Sequence, residues 1–421
     1  MNWKIIWSIC ASITLFSCVC IGAQRVQPAG ATETWVVDDD KPADFLTIQE
    51  AINDAGDGDT IYVRSGTYRE NLVVNKSVSL VGESEHDTVI LGRFDVVRFT
   101  ASNINMAHFT VHGQTAHYHT SCILVDHSSG NNISYNILKG DDVGIDLSSS
   151  NSNIITGNNV LFNLLIGVSL RRSSNNTIVN NTSSGFRDAA GIFIEDNSSH
   201  NVIVGNRLSF RREGIRLSVS SNNRIAGNTM SNNTYGILIQ ENCDNNTIVE
   251  NEVTNNTCGI KIDVGFTSDN SIYHNDFLEN ALQVQDASGC VKMDNGYPLG
   301  GNFWSDHNPP DVCGGPDQNE TGRDGIGDAP YMINENFKDR YPLIFPYSHV
   351  PNPDLNHDSL VNILDIAVLG IAYGSYPGNE RWNVYADLDT NEIVNTVDLD
   401  IAAKDFGKYA KDRQDTSQIL S

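Results

Sequence analysis

The chain has 421 residues and is acidic, with 52 Asp and Glu residues against 27 Lys and Arg and a formal net charge of −25 at pH 7. This length leaves room for more than one domain. The charge excludes nucleic acid as an expected partner, because binding phosphates requires basic patches. Cations and neutral polar ligands fit such a chain better.

The first 23 residues predict an export signal, because one Lys precedes a short apolar run that ends in small residues. We expect cleavage after Ala23 and export to the cell surface or the extracellular medium. The stretch "LFSC" that ends at Cys18 resembles a lipobox, so a lipid-anchored protein is the alternative. No later segment is long and apolar enough to span a bilayer, and we expect no transmembrane segment in the mature chain.

The stretch "FLTIQEAINDAGDGDTIYV" predicts a short helix near the start of the mature chain. Thr47 and Glu50 form a capping box at the start of this helix. Ile48 and Ile52 lie on one side of it, where they can cover an apolar surface. We expect this helix to cap the end of the repeats that follow.

A repeat of 22 to 25 residues occupies the middle of the chain. In each copy two asparagines stand five residues apart, an isoleucine follows the first by two places, and a "G-[IV]-x-[LI]" stretch comes later in most copies. The asparagine pairs are Asn131/Asn136, Asn153/Asn158, Asn176/Asn181, Asn201/Asn206, Asn223/Asn228, Asn246/Asn251 and Asn270/Asn275. No stretch of ten residues keeps a helical period, so short strands joined by Asn and Gly turns account for the repeat. We predict an all-β solenoid over residues 33–290, with isoleucines inside and asparagines cross-bonding the turns.

These repeats resemble the right-handed parallel β-helix of pectin-lyase-like, carbohydrate-binding and sugar-hydrolysing proteins, and of the NosD-like periplasmic copper-protein maturation factors. The stretches "GNFWSD", "GRDGIGDAPY" and "DRYPL" resemble the segment that closes many NosD-like repeats. The resemblance covers Trp35 to Tyr341 and implies a β-helix closed by residues 291–346. It indicates the fold more strongly than the function, because solenoids serve many functions.

Charged residues on the middle coils are the candidates for a functional site. An outward column is predicted on the "G-[IV]-x-[LI]" strands, and its members with their neighbour Arg212 supply the ligand-binding candidates Asp146, Phe193, Arg212, Arg216 and Lys261. A column three places before each glycine is predicted to run Asp141, Leu164, Asp188, Arg211, Asn233 and Asn256. From it and the adjacent Asp we take the catalytic candidates Asp141, Asp142, Asp188 and Arg211.

The spacing of these carboxylates is compatible with glycoside hydrolysis. Asp141 and Asp188 are predicted to be two coils apart, about 9.6 Å at about 4.8 Å per coil. Inverting glycosidases separate their carboxylates by roughly 6.5–9.5 Å. The stretch "GDDVGI" also resembles the GDDC strand of polygalacturonases, but the Gly-His-Gly and Arg-Ile-Lys segments of that family are missing. A hydrolase, a lyase and a charged solvated surface all remain open.

Five histidines within twenty residues suggest a second candidate site. They are His108, His112, His117, His119 and His127. Imidazole is a common ligand of copper and zinc, although this spacing matches no fixed metal motif. The mature chain also has an odd number of cysteines without a CxxC, and Cys290 with Cys313 is the expected pair if a disulfide forms.

After a linker at residues 347–353, residues 354–409 contain two loops that match a calcium-binding pattern, and residues 410–421 form a tail. Oxygen-bearing side chains stand at loop positions 1, 3, 5, 9 and 12, with a backbone carbonyl at position 7. These ligands are Asp354, Asn356, Asp358, Leu360, Asn362 and Asp365, then Asp387, Asp389, Asn391, Ile393, Asn395 and Asp398. Each loop runs into a predicted amphipathic helix, "ILDIAVLGIAYG" after the first and "TVDLDIAAKDFG" after the second. We therefore expect two calcium ions.

The duplicated loop-helix unit resembles a type I dockerin, and the resemblance implies a cohesin-type partner. Two departures from the family pattern stand in each loop. Ser359 and Glu392 replace the usual Gly at position 6, and "IL" and "TV" replace the common Ser/Thr contact residues at positions 10 and 11. Calcium binding is therefore better supported than the cohesin partner.

Together these features predict an exported protein that binds, and in one interpretation cleaves, a polysaccharide. Two alternatives belong to other classes of function. One is a surface or adhesion protein in which the solenoid is a rigid spacer, and the other is a NosD-like copper or metal maturation factor. The missing polygalacturonase segments favour binding over cleavage, and the dockerin-like module favours polysaccharide work over copper delivery.

Overall fold

The computed structural model describes residues 32–407, except residues 41, 115–119, 187, 264–267, 287–290, 323, 336, 348–352, 356–359, 377–378, 380, 389–390 and 392. Most of this part of the chain forms a right-handed parallel β-helix of about 11 turns. Each coil passes in turn through three parallel sheets, which we name sheets A, B and C. This confirms the predicted solenoid.

Sheet A consists of Thr34–Val37, Thr60–Val63, Ser79–Gly82, Asn105–Ala107, Asn132–Ser134, Ile154–Thr156, Thr177–Val179, Val202–Val204, Arg224–Ala226, Thr247–Val249, Asn270–Tyr273 and Val291–Lys292. Sheet B consists of Gly66–Tyr68, Thr88–Gly92, Thr110–Gly113, Ile137–Lys139, Asn159–Leu161, Thr182–Ser184, Arg207–Ser209, Thr229–Ser231, Glu252–Thr254, Asp276–Leu278 and Phe303–Trp304. Sheet C consists of Leu72–Val74, Val97–Phe99, Ser121–Asp126, Val143–Ser148, Ile166–Arg171, Ala190–Glu195, Glu213–Leu217, Tyr235–Ile239, Cys258–Ile262 and Leu282–Asp286.

Like residues stack from one coil to the next inside the solenoid. In sheet A the paired isoleucines are Ile133, Ile155, Ile178, Ile203, Ile225, Ile248 and Ile272. All of them are fully buried. Burying one such side chain contributes about 1.5–3 kcal/mol, so the continuous apolar column accounts for much of the stability of the solenoid.

Two columns of buried asparagines fix the corners. They are the two members of each predicted pair, and each is at most 2% exposed. In the first column the side-chain oxygen of Asn223 accepts the backbone N–H of Asn201, and its amide donates to the Ser198 carbonyl and to Asn246 Oδ1. The same contacts repeat along both columns. Each asparagine therefore satisfies backbone groups that a tight corner leaves without a strand partner.

In the Asn-Asn doublets the two asparagines have different roles. The sequence predicted both roles, turning the chain and bonding the coils, for asparagine in general. Asn175, Asn222 and Asn245 adopt positive φ angles of 59°, 60° and 54°, and each directly precedes a buried asparagine of the first column. Asparagine tolerates this left-handed backbone better than most residues. The first Asn of a doublet thus turns the chain, and the second bonds the coils together.

Both ends of the solenoid are covered. Helix α1 (Ile48–Asp54) buries Ile48, Ala51 and Ile52 on the first coil, and the Thr47 hydroxyl accepts the Glu50 N–H, as predicted. The carboxylate of Glu70 accepts the N–H groups of Ile48 and Gln49, which the sequence did not indicate. The apolar end of the coil stack is therefore shielded from water.

At the other end, Trp304 stacks on Phe277 at 4.5 Å and on Tyr331 at 4.3 Å between ring centroids. Its indole N–H donates to the buried carboxylate of Asp339, which also accepts the Asn302 N–H. Burial raises the pKa of Asp339 to about 7. The "GNFWSD" and "DRYPL" stretches thus meet around one aromatic stack. Two hairpins complete this end, Cys313–Gly314 with Glu320–Thr321 and Tyr331–Asn334 with Phe337–Asp339.

The C-terminal module contains helix α2 (Ile363–Ala372), a 3₁₀ turn (Val384–Ala386) and helix α3 (Thr396–Lys404). Its apolar core includes Leu369, Trp382 and Ala402 and is continuous with Leu343 of the closing segment. The module is therefore packed against the end of the solenoid.

No helix among the described residues is long and apolar enough to cross a membrane.

The asparagine columns give a stability prediction. Replacing Asn223 by Ala removes acceptor and donor groups that no water replaces, so we expect a loss of about 3 kcal/mol and a lower urea midpoint. The control is Asn222→Gly, because glycine keeps the positive φ of this exposed neighbour, and we expect it to cost less than about 1 kcal/mol. Equal midpoints for the two variants would contradict the assigned role of the buried column.

Candidate functional site

The outward side of sheet C carries several charged side chains, and we call it the C face. Register pairing aligns Asp146, Ser169, Phe193, Arg216, Leu238 and Lys261 on successive coils. The predicted column is thus aligned from coil to coil, but it is not an exposed one. Asp146, Ser169, Phe193 and Leu238 are buried, and Arg216 and Lys261 are partly exposed. The side chains of the column lie side by side because every strand of the sheet is parallel and in register.

Neighbouring columns pair with this one. Arg171 lies 2.7 Å from Asp146 and 3.9 Å from Glu195, so one guanidinium bridges two carboxylates. Arg216 lies 4.4 Å above the Phe193 ring, and its Nε donates to Gln240 at 2.7 Å. Ion pairs and ring contacts therefore hold the charged side chains of the C face against the sheet, and these side chains do not extend freely into solvent.

The same arrangement continues on the last predicted member of the column. Lys261 pairs with Asp263 at 2.9 Å and stands 5.4 Å from the centre of the Tyr235 ring. Arg212 pairs with Glu213 at 3.3 Å. Burial raises the pKa of Glu213 and of Glu195 in spite of the nearby arginines. The C face thus offers polar groups that are only partly hydrated, which strengthens their hydrogen bonds to a bound ligand.

The structure separates the catalytic candidates from this face. Asp141 is fully buried, with Thr120 donating to its carboxylate at 2.9 Å, and its carboxyl group lies directly against Gly113. Burial raises its pKa to about 7. Asp142 is also buried, whereas Asp188 is exposed. The two carboxylates proposed for hydrolysis therefore do not face a common cleft.

The register explains this difference from the sequence-based expectation. The backbone N–H of Asp141 is bonded to Asn163 and not to a group on Leu164, so the predicted column is displaced by one residue at this coil. Asn233 and Asn256 continue the buried column further along the solenoid. Asp141 thus occupies a corner position that asparagine fills in other coils.

Arg211 lies in the same buried column and is fully enclosed. Its guanidinium donates to the carbonyls of Asn163 and Ser184 at 3.1 and 2.9 Å and to the Ser183 hydroxyl at 3.1 Å. The coil between Asn163 and Arg211 has Gly185 and Phe186 where other coils have an asparagine, and the arginine reaches back to supply the missing donors. Burial lowers the pKa of Arg211 to about 10.

An exposed aromatic strip beside the C face was missed in the sequence. It consists of Phe162, Phe186 and Phe210, which are 58%, 45% and 51% exposed and stand at the corner between sheets B and C on three successive coils. Phe162 and Phe210 adopt φ angles of 53° and 56°, where a bulky residue is an outlier. We call these residues the aromatic strip. Their sequence signal is a Phe directly or closely after a sheet B strand, where other coils have Asn or Gly.

The histidine cluster is only partly described, because His117 and His119 lie outside the described residues. His108 stacks on Tyr135, and His127 contacts the carboxylate of Asp126. Burial lowers the pKa of His112. Among the described residues the one group of three ligand side chains close enough for a metal ion is Asp38, Asp39 and Asp40, which supplies no nitrogen. The Cys290–Cys313 pairing also lies outside the described residues, since Cys290 is not among them.

The C-terminal loops repeat one set of contacts. Asn362 and Asp365 form a capping box at the start of α2, and Asn395 and Asp398 form the equivalent one at α3. The amides of Asn362 and Asn395 donate to the Leu360 and Ile393 carbonyls, each at 2.9 Å.

The position 1 and position 12 carboxylates of both loops are buried. They are Asp354, Asp365, Asp387 and Asp398. Asn391, at position 5 of the second loop, donates its N–H to Asp387. The predicted ligands Asn356, Asp358 and Asp389 lie outside the described residues.

These features define a right-handed parallel β-helix protein whose sheet C carries a mostly buried outward column flanked by partly exposed charged side chains. The family model described as periplasmic copper-binding protein (NosD) matches residues 52–217 and 187–309, which together span more than half of the chain. The chain belongs to the NosD family. A search of curated protein sequences finds no match.

Solved structures with similar folds include proteins that act on polysaccharides. The A-module of a mannuronan C-5 epimerase from Azotobacter vinelandii shares 17% identity over 56% of this chain and 89% of its own, with a TM-score of 0.40. The catalytic domain of a GH87 alpha-1,3-glucanase shares 14% identity over 63% and 68%, with a TM-score of 0.43. An alginate lyase from Paenibacillus sp. shares 13% identity over 62% and 100%, with a TM-score of 0.36.

The position of Arg211 gives a second prediction. Arg211→Met keeps most of the side-chain volume but leaves the Asn163 and Ser184 carbonyls without their donor, so we expect a loss of about 2–3 kcal/mol in urea unfolding. Arg212→Met is the control, since the Arg212 side chain is 58% exposed, and we expect a change within about 0.5 kcal/mol. If the Arg211 variant is as stable as the control, the guanidinium is not a structural donor.

Proposed function

We propose that this protein binds a polysaccharide along the C face and the aromatic strip. The observation that carries the proposal is the pairing of three exposed phenylalanines with a half-buried polar surface on the same coils. A sugar ring presents an apolar C–H face and a rim of hydroxyl groups. The aromatic strip stacks on the first, and the charged side chains of the C face hydrogen-bond the second.

The cost of the aromatic strip supports a functional role. A phenylalanine in the left-handed region is strained by about 1–3 kcal/mol. The rings of the strip are only about half buried, so burial offsets this strain less than it would for a core residue. Phe162 and Phe210 have both properties. Phe94 shares both properties on an earlier coil, so the distinguishing feature of the aromatic strip is that three exposed rings stand on three successive coils.

The orientation of the strip indicates a chain that crosses the coils. Phe162, Phe186 and Phe210 belong to successive coils, about 4.8 Å apart in a stacked solenoid. Phe193 is buried beneath Arg216, so the guanidinium is the group that a ligand meets at that coil. An extended polysaccharide parallel to the solenoid axis therefore meets an aromatic ring and a hydrogen-bonding group on each coil.

We propose that the protein binds the polysaccharide, and we assign it no cleavage activity. Asp141 and Arg211 are enclosed in the corner column, so neither contacts a chain on the C face. Asp188 is exposed without Asp141 beside it as a second catalytic carboxylate. Product analysis after incubation with polysaccharide tests this part of the proposal directly.

Copper is the group that the NosD family description implies. Copper(II) prefers nitrogen ligands and copper(I) prefers sulfur. Among the described residues, His108, His112 and His127 form no group close enough to share an ion, and the acidic group at Asp38–Asp40 offers oxygen alone. The described part of the chain does not fit a copper centre, and we derive no step through copper.

For the C-terminal module we propose two calcium ions and a protein partner of the cohesin type. Four buried carboxylates stand at equivalent positions in two loops with the same contacts. Their equivalent placement in two loops, at the spacing of calcium ligands, supports one cation in each loop. Asp354 and Asp387 would hold the ions at position 1, with Asp365 and Asp398 at position 12 and the other oxygen ligands between them.

We also propose that the protein is exported to the cell surface. A protein that binds polysaccharide at the cell surface needs the export signal predicted at residues 1–23, and attachment through the C-terminal module would keep it close to its ligand. A lipid anchor at Cys18 is the alternative form of attachment. Mass spectrometry of the mature N-terminus in the native host distinguishes the two.

The aromatic strip gives the third prediction. Phe162→Ala combined with Phe210→Ala removes two stacking contacts, and we expect polysaccharide binding to weaken at least tenfold, or about 1.4 kcal/mol. The ligand is the best binder of a glycan array, and affinity is measured by calorimetry. Phe94→Ala is the control, because Phe94 is also exposed with a positive φ of 59° but lies on an earlier coil. Equal loss in control and double variant would place the binding site elsewhere.

The calcium loops give the fourth prediction. Asp354→Ala with Asp387→Ala removes position 1 from both loops, so we expect the mature chain to lose calcium binding and the helical part of its circular dichroism. The β-sheet signal is expected to persist, since coil stacking does not depend on metal. Asp400→Ala is the control on α3, because this exposed carboxylate pairs with Lys404. A wild-type spectrum that is identical in calcium and in excess chelator would contradict the assignment.

A further inference from the structure

A cavity of about 600 Å³ lies where the C-terminal module meets the closing segment of the solenoid. Its volume falls in the range of small-molecule sites, roughly 300–1,000 Å³. The cavity is at the end of the molecule where the closing segment packs, and it shares no lining residue with the C face or the aromatic strip. It is therefore a separate feature that the proposed polysaccharide site does not explain.

The two walls of the cavity differ in chemistry. The closing segment contributes the carboxylates of Asp311 and Asp324, and burial raises the pKa of both. The module contributes the aliphatic side chains of Val368 and Ile371 and the indole of Trp382. A ligand in this cavity thus meets hydrogen-bond acceptors on one side and an apolar surface on the other.

Trp382 supplies the most specific indication of a ligand. It is 7% exposed, and within the described residues its indole N–H has no hydrogen-bond acceptor. A buried indole N–H normally finds a partner, because leaving it without one costs about 1–3 kcal/mol. Tyr385, in the same wall, is already engaged with the backbone of Phe345 in both directions. Trp382 is therefore the donor available to a bound molecule.

From this geometry we infer that the cavity binds a neutral sugar of one or two rings. A hydroxyl of the sugar in the plane of the indole accepts the Trp382 N–H, other hydroxyls donate to Asp311 and Asp324, and the C–H face packs against Val368 and Ile371. An anionic sugar is disfavoured by the two carboxylates. A simple cation is disfavoured by the aliphatic wall and by Arg381 at the edge of the cavity. This inference does not rest on polysaccharide binding at the C face.

The test is calorimetry of the mature chain in calcium with methyl glycosides of glucose, galactose and mannose, and with methyl glucuronide as the anionic probe. We expect at least one neutral glycoside to bind more tightly than the glucuronide. Trp382→Phe, which removes the N–H but keeps an aromatic ring, is expected to weaken that binding at least tenfold. Arg381→Ala is the second variant. The exposed Arg381 lines the cavity, where its guanidinium can donate to a ligand hydroxyl without being needed for folding, so we expect the change to weaken binding severalfold.

Two controls separate this site from the C face. Trp35→Phe removes an indole N–H that donates to Asp59 in the first coils and is expected to leave glycoside binding unchanged. The Phe162→Ala/Phe210→Ala variant is also expected to bind the glycoside normally. The inference is overturned if no neutral glycoside binds, if the glucuronide binds more tightly, or if Trp382→Phe and Arg381→Ala both bind like the wild type.

Discussion

The hydrogen bonds of the buried asparagines are the interaction on which the rest of this structure depends. A coil of this length must turn three corners, and each corner leaves backbone N–H and carbonyl groups without a strand partner. Asn223 and its equivalents satisfy those groups and at the same time bond to the next coil. They hold successive coils in one register, and this register aligns the outward side chains of sheet C into columns. The C face is thus a consequence of the corner chemistry.

Much of the fold was predictable because the sequence repeats the same pattern of asparagines and isoleucines in several coils. One coil alone would be ambiguous, but seven asparagine pairs with seven isoleucines at a fixed offset leave few alternatives. The outward column from Asp146 to Lys261 followed from simple alternation along a strand. The capping helix was predictable for a similar reason, since Thr47 is a local signal that needs no knowledge of distant residues.

The parts that were not predictable are those where one coil departs from the others. Arg211 looks like a surface charge in the sequence. In the structure its buried guanidinium supplies hydrogen-bond donors that Gly185 and Phe186, one coil earlier, do not provide. Asp141 looks like a catalytic acid, but it occupies an asparagine position. The aromatic strip was missed because each phenylalanine is a single residue outside the repeated columns. Such features depend on contacts between coils, and the repeat pattern records only what the coils share.

Membership of the NosD family identifies the solenoid, and the individual side chains on it must carry the argument about function. The most direct test of the account is hydroxyl-radical footprinting of the mature chain with and without bound polysaccharide, since oxidation of a phenylalanine ring reports its exposure. The account predicts protection of Phe162, Phe186 and Phe210, with Phe94 oxidised equally in both states. Unchanged oxidation of the aromatic strip in a sample that binds the polysaccharide would contradict it.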